Sequence, residues 1–90
     1  PRRQHYWRDK TGREVDFVIG RGSRGADLVE CKISPAHVRL DGIFEFRRLY
    51  PAGRNFIACP FIKAPYARNE RGLHLRFAGL QSIIREIGKA

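Results

Sequence analysis

Methionine is absent from this sequence, and cysteine is nearly so, with two in 90 residues. Two cysteines are too few for a disulfide scaffold and fit a reducing cytoplasm. They read as free core thiols. No apolar run approaches the ~18 residues that a membrane span requires. Pro1 is followed by two arginines and no apolar stretch, so no signal peptide is visible. The missing methionine points to a processed chain or a piece of a larger one. Acidic residues are scarce too: nine, against 18 Lys and Arg, for a formal net charge of +9. The 42% hydrophobic content excludes a disordered tail. The length suits one domain spanning 1–90, since domains commonly run ~100–150 residues.

Fourteen of the 18 basic residues are arginine, whose planar fork suits phosphate oxygens. A pI near 10.6 is the electrostatic footprint of a nucleic-acid binder. No Lys/Arg run exceeds two residues outside loops or within them, so the charge decorates a folded face and is not a basic tail.

Gln4 to Arg8 and Glu14 to Ile19 read as a β-hairpin around the turn Asp9-Lys10-Thr11-Gly12. A period of two puts Val15, Phe17 and Ile19 on one face, with Glu14, Asp16 and Val18 on the other. Asp27 to Ile33 is a third strand, with Leu28, Glu30 and Lys32 sharing a face. Ser34-Pro35 signals a helix start, and apolar spacing predicts a helix over 36–50. Residues 55–59 and 73–77 read as strands, 63–72 as a polar loop and 80–87 as a closing amphipathic helix with Leu80, Ile83, Ile84 and Ile87 on one stripe. Tyr6 and Trp7 read as core or edge aromatics in preference to base-stacking platforms. The order β-β-β-α-β-β-α predicts an α/β fold with a mixed sheet of about five strands, containing one βαβ crossover whose two strands are parallel.

Gly20-x-Gly22-x-x-Gly25 spells a dinucleotide-binding fingerprint, but the following residues alternate like a strand. The glycines are therefore assigned to a hairpin turn, and no cofactor of that kind is expected. Arg21 and Arg24 at its tip are candidate contacts to a nucleic-acid backbone.

Asp16 and Glu30 stand mid-strand between apolar neighbours on adjacent strands. Buried carboxylates are costly without a compensating cation. Hard oxygen donors of this kind suit Mg²⁺ or Mn²⁺. Lys32, two residues beyond Glu30, shares its face and can orient an attacking water or neutralise phosphate charge. The plainer alternative is a structural salt bridge among the three.

Asp16 followed by Glu30-Cys31-Lys32 resembles the D…(D/E)-x-K motif of the PD-(D/E)XK nuclease superfamily. Tyr6-Trp7-Arg8-Asp9-Lys10-x-Gly12-x-Glu14-Val15-Asp16-Phe17-Val18-Ile19 and Val29 to Ser34 are similar to the nuclease-like C-terminal domain of a family of prokaryotic AAA-type ATPases. So are Gly42 to Pro51, Lys63-Ala64-Pro65-Tyr66 and the final strand and helix. The resemblance implies a three-layer restriction-endonuclease-like core whose first helix is missing here. It implies metal binding by Asp16, Glu30 and the Cys31 carbonyl, with Lys32 as catalytic lysine. Arg39 or Arg47 would be the basic residue on the helix after the motif. The expected activity is metal-dependent phosphodiester hydrolysis of DNA. Arg21, Arg24, Arg39, Arg47 and Arg48 are the expected DNA contacts, and an ATPase of the same parent chain the expected partner. The rival expectation is a catalytically silent nucleic-acid-binding or partner-docking module.

Overall fold

The computed structural model describes residues 4–8, 10, 12–34 and 39–89. Strand β1 (Gln4–Arg8) pairs antiparallel with β2 (Glu14–Gly20), which pairs antiparallel with β3 (Ala26–Cys31). Helix α1 (Asp41–Leu49) leads to β4 (Asn55–Ala58), parallel to β3. This is the expected βαβ crossover. An edge strand, β5 (Tyr66–Glu70), then turns into β6 (Leu73–Ala78), and helix α2 (Leu80–Gly88) follows. β6 inserts between β4 and β5, parallel to β4, giving the order β1-β2-β3-β4-β6-β5 in one mixed sheet.

The two helices pack on opposite faces. Val18, Leu28, Ile57, Leu75 and Phe77 meet Ile43 and Phe46 of α1. Val29, Phe56, Ala58 and Ala78 meet Ile83 and Ile87 of α2. The result is an α/β domain in three layers. α1 carries Asp41 in its first turn and Arg47 and Arg48 in its last, complementing the helix dipole. Tyr50 N–H closes it on the Phe46 carbonyl before Pro51.

Four local expectations are corrected. α1 starts at Asp41, five residues later than apolar spacing predicts, because Arg39 and Leu40 are not helical. Pro35 to Val38 lie outside the described residues. The expected loop 63–72 contains β5. Its five residues are polar or small at an edge, so they show no apolar alternation, and Arg71 and Gly72 close the hairpin with φ of 49° and 79°. Lys32 and Ile33 lie beyond the end of β3. Leu80 and Ile84 of the expected α2 stripe are exposed, so Ile83 and Ile87 alone anchor that helix.

The period-two reading of β2 also breaks. His5 stands opposite Val18, yet Trp7 stands opposite Val15, so Tyr6 faces both Asp16 and Phe17. One extra residue makes a β-bulge there. Val15 consequently joins Val18 in the α1-side core, while Phe17 and Ile19 pack on the α2 side.

Candidate functional site

The bulge sits where β2 and β3 part. Their ladder ends at the Phe17–Val29 pair, and carboxylates take over the next amides. Asp16 N–H donates to Glu30 Oε1 at 2.9 Å. Cys31 N–H donates to Asp16 Oδ2 at 2.9 Å. Each acid thus uses one oxygen on the other's strand. Glu30 Oε2 lies 3.6 Å from Lys32 Nζ. Asp16, Glu30 and Lys32 line a cavity of about 350 Å³, together with Gly12, Arg13, Arg39, Asp41 and Gly42. The cavity lies at the carboxyl end of β3 against the start of α1, where open α/β sheets commonly bind ligands.

Glu30 is buried. Burial, reinforced by the Asp16 charge, holds its carboxyl above the usual range. The Asp16 amide and the Lys32 ammonium offset only part of that. Burial and the two neighbouring carboxylates likewise push the Cys31 thiol up. Both cysteines are free, and Cys31 is exposed while Cys59 is buried. Among the described residues no three His, Cys, Asp or Glu side chains gather as a metal-holding group. Asp16 and Glu30 are the interlocked carboxylates of the cleft, and Asp41 lines it as well. Sequence reading passed over Arg13 and Asp41 as cleft residues. An acid at a helix start was the available signal for Asp41.

The five arginines expected to meet nucleic acid divide sharply. Arg39 is exposed on the cavity wall, and Arg24 is exposed in the turn Gly22–Arg24. Arg48 is exposed and paired with Glu45. Arg21 instead donates from Nη1 to Asp27 Oδ2 at 2.9 Å. Arg47 lies in the core at 4% exposure. Its Nε donates to Asn55 Oδ1 at 2.7 Å. Its Nη1 reaches the Tyr50 and Ala52 carbonyls, and its Nη2 the Ala26 and Arg54 carbonyls. Burial pushes its pKa down to about 10, so it stays charged at neutral pH. Arg47 is thus a clamp between α1 and the strands and does not present a phosphate contact.

Asp27, which the sequence did not single out, is fully buried. Burial alone would raise its carboxyl. Hydrogen bonds from Arg54 and Arg21 outweigh this and hold it below the usual range. Arg54 supplies its backbone N–H, Nε and Nη2.

Fold and cleft together define a three-layer α/β domain with a carboxylate–lysine cluster at the end of its central strands. The chain belongs to the family described as a domain of unknown function (DUF4143), whose sequence profile matches residues 1–73. No curated protein and no solved structure matches it. Among the described residues no helix is long and apolar enough to cross a membrane.

Proposed function

We propose that this is a nuclease-like domain that hydrolyses DNA phosphodiesters with a divalent cation, in the restriction-endonuclease-like manner its sequence resembles. The observation that carries the reading is the meeting of Asp16, Glu30 and Lys32 in one cleft. The donor set fits a hard cation: two carboxylates face each other across a bulge, and one is buried with its charge only partly offset. Asp16 and Glu30 would hold Mg²⁺ or Mn²⁺, with the Cys31 carbonyl as the donor that the resemblance adds. Such an ion supplies Lewis acidity at the phosphoryl group and a more acidic water. Lys32 orients the attacking water and balances phosphate charge. Arg39 steadies the DNA backbone at the cleft wall. The same resemblance supports an ATPase partner, and the scarcity of cysteine supports a cytoplasmic setting.

A second reading is a silent nucleic-acid-binding or docking module. It is favoured by the self-contained bonding of the cluster, in which both acids already accept backbone amides and Lys32 faces Glu30.

Labelled DNA incubated with Mg²⁺ or Mn²⁺, alongside Mn²⁺-dependent thermal shifts, separates the two. On the hydrolase reading, cleavage stops with EDTA, and Asp16→Asn abolishes both cleavage and the shift. Lys32→Ala abolishes cleavage but keeps the shift. Cleavage surviving replacement of Asp16, Glu30 and Lys32 together would overturn the mechanism. Salt-dependent DNA binding with neither ion binding nor cleavage would leave the docking module.

A further inference from the structure

The groups lining the carboxylate cleft differ in depth. Glu30 is buried and Asp16 is half-buried, whereas Arg13, Arg39 and Asp41 are exposed at its mouth. The deeper acids are committed inward. Each accepts a backbone amide of the facing strand, and Lys32 stands against Glu30. An arriving ligand therefore meets the exposed groups first.

Arg13 follows the β1–β2 turn, where Gly12 has φ of +85°. Its side chain is 41% exposed, and its Nη1 lies 3.3 Å from Oε2 of Glu45 on α1. Glu45 does not serve Arg13 alone. Arg48, three residues further along α1, donates its Nε to both Glu45 oxygens. One carboxylate faces two guanidiniums and cannot neutralise both. Counting Arg39 and Asp41 as well, Arg13, Arg39 and Arg48 stand against Asp41 and Glu45, so the balance at the mouth is positive. The Glu45 side chain is only 12% exposed and is gripped by Arg48, so it holds the Arg13 guanidinium at the cleft wall. A guanidinium carries five N–H donors, more than one carboxylate can accept.

We infer that Arg13 is a substrate-binding residue of the cleft, donating to the oxygens of a backbone phosphate at its mouth while Glu45 holds the guanidinium in place. The ligand class follows from the donor. A planar fork of fixed orientation matches phosphate oxygens two at a time, and a charge that is only shared with Glu45 still attracts an anion. That the phosphate belongs to DNA rests on the proposed function, but the inference does not need cleavage. The competing role is a structural tie, in which the Arg13–Glu45 pair only fastens the hairpin to α1.

Labelled duplex DNA is titrated in EDTA over a range of salt and followed by fluorescence anisotropy. Each phosphate contact adds about 0.9 to the log–log salt slope, so Arg13→Ala should bring the slope about 0.9 closer to zero. Arg13→Lys keeps the charge and should restore it. A structural tie would move the melting temperature and leave the slope alone. An ion pair this exposed is worth only ~0–1 kcal/mol, so Arg13→Ala should stay folded. A second measurement uses the unsubstituted chain. DNA should slow modification of Arg13 by a dicarbonyl reagent severalfold, mapped by mass spectrometry, and this decides the matter should Arg13→Ala unfold. An unchanged slope in folded Arg13→Ala, or equal modification of Arg13 with and without DNA, overturns the inference and leaves the roles of Asp16, Glu30 and Lys32 standing. Absence of DNA binding by the unsubstituted chain at every salt concentration overturns both the inference and the nucleic-acid part of the proposed function.

Discussion

Two buried acids a few residues apart have opposite energetics. Asp27 is held below its ordinary range by Arg54 and Arg21 against the cost of burial. Its contribution to stability is therefore present above the usual carboxylate pKa and lost as pH falls through the lower folded value. Removing one partner of a buried ion pair costs ~3–5 kcal/mol. Asp27→Asn should lose about that much in urea denaturation at neutral pH, with the deficit shrinking below about pH 4. Glu30 is raised instead, so its ionised form burdens the fold at neutral pH and the burden fades in acid. Glu30→Gln keeps an acceptor for the Asp16 amide. Its melting temperature at neutral pH should equal or exceed that of the parent, while the cleavage proposed for this cleft should be lost. A large drop in melting temperature would instead mark Glu30 as a structural ion-pair member. The arginines make a second contrast: Arg47→Ala should destabilise by several kcal/mol, since it strands carbonyl acceptors and an amide in the core. Arg39→Ala should spare stability and weaken DNA binding.

Two loops cross closely where β3 begins and β4 is approached. Gly25 has φ of +88°, and a Cβ there would overlap the Ala52 backbone. Gly53 has φ of +129°, and a Cβ there would overlap the Ala26 carbonyl. The pair also shares a hydrogen bond, from Ala26 N–H to the Ala52 carbonyl at 3.0 Å. Side chains are excluded at both positions by space as well as by φ. Gly53→Ala should therefore cost at least ~3 kcal/mol, beyond the ~1–3 kcal/mol of an unfavourable φ alone. Gly72→Ala, with a positive φ but open space, should stay within that lower range. Equal costs for the two, in thermal or urea unfolding, would show that the crossing is looser than described. The Gly20, Gly22 and Gly25 spelling is thus explained at this scale: a turn between antiparallel strands, with Arg21 N–H bonded to the Gly25 carbonyl at 2.8 Å.

Across the whole molecule the charge of +9 overstates what is free to meet a polyanion. Arg21 and Arg54 are tied to Asp27, Arg47 to carbonyls, Arg68 to Glu70 and Arg76 to Glu86. About 4–5 phosphate contacts would give a log–log salt slope near −4 on duplex DNA. A slope near zero in fluorescence anisotropy would remove the electrostatic case for nucleic acid. Arg39 is exposed on the wall of the carboxylate cleft, so charge reversal there should weaken binding more than reversal at Arg85 on α2.

The strands with strong alternation, the βαβ crossover and the closing helix are legible along the chain alone. Val29, Ile57, Leu75 and Ile83 can be buried only in such elements, and a period is visible without a partner. That Asp16, Glu30 and Lys32 belong together is legible there too, because their costly placement between apolar neighbours is itself a local signal. Tertiary structure decided the rest. The bulge that sets Tyr6 against Asp16 and Phe17 depends on pairing with β1, and no period within β2 encodes it. β5 is a strand because β6 pairs with it, not because its own residues alternate. Whether an arginine is a clamp or a contact depends on which carbonyls and carboxylates reach it from distant segments. Arg47 and Arg48 are neighbours in the chain, yet one is buried and the other exposed. Helical geometry turns adjacent side chains ~100° apart, and the packed sheet decides which of the two enters the core.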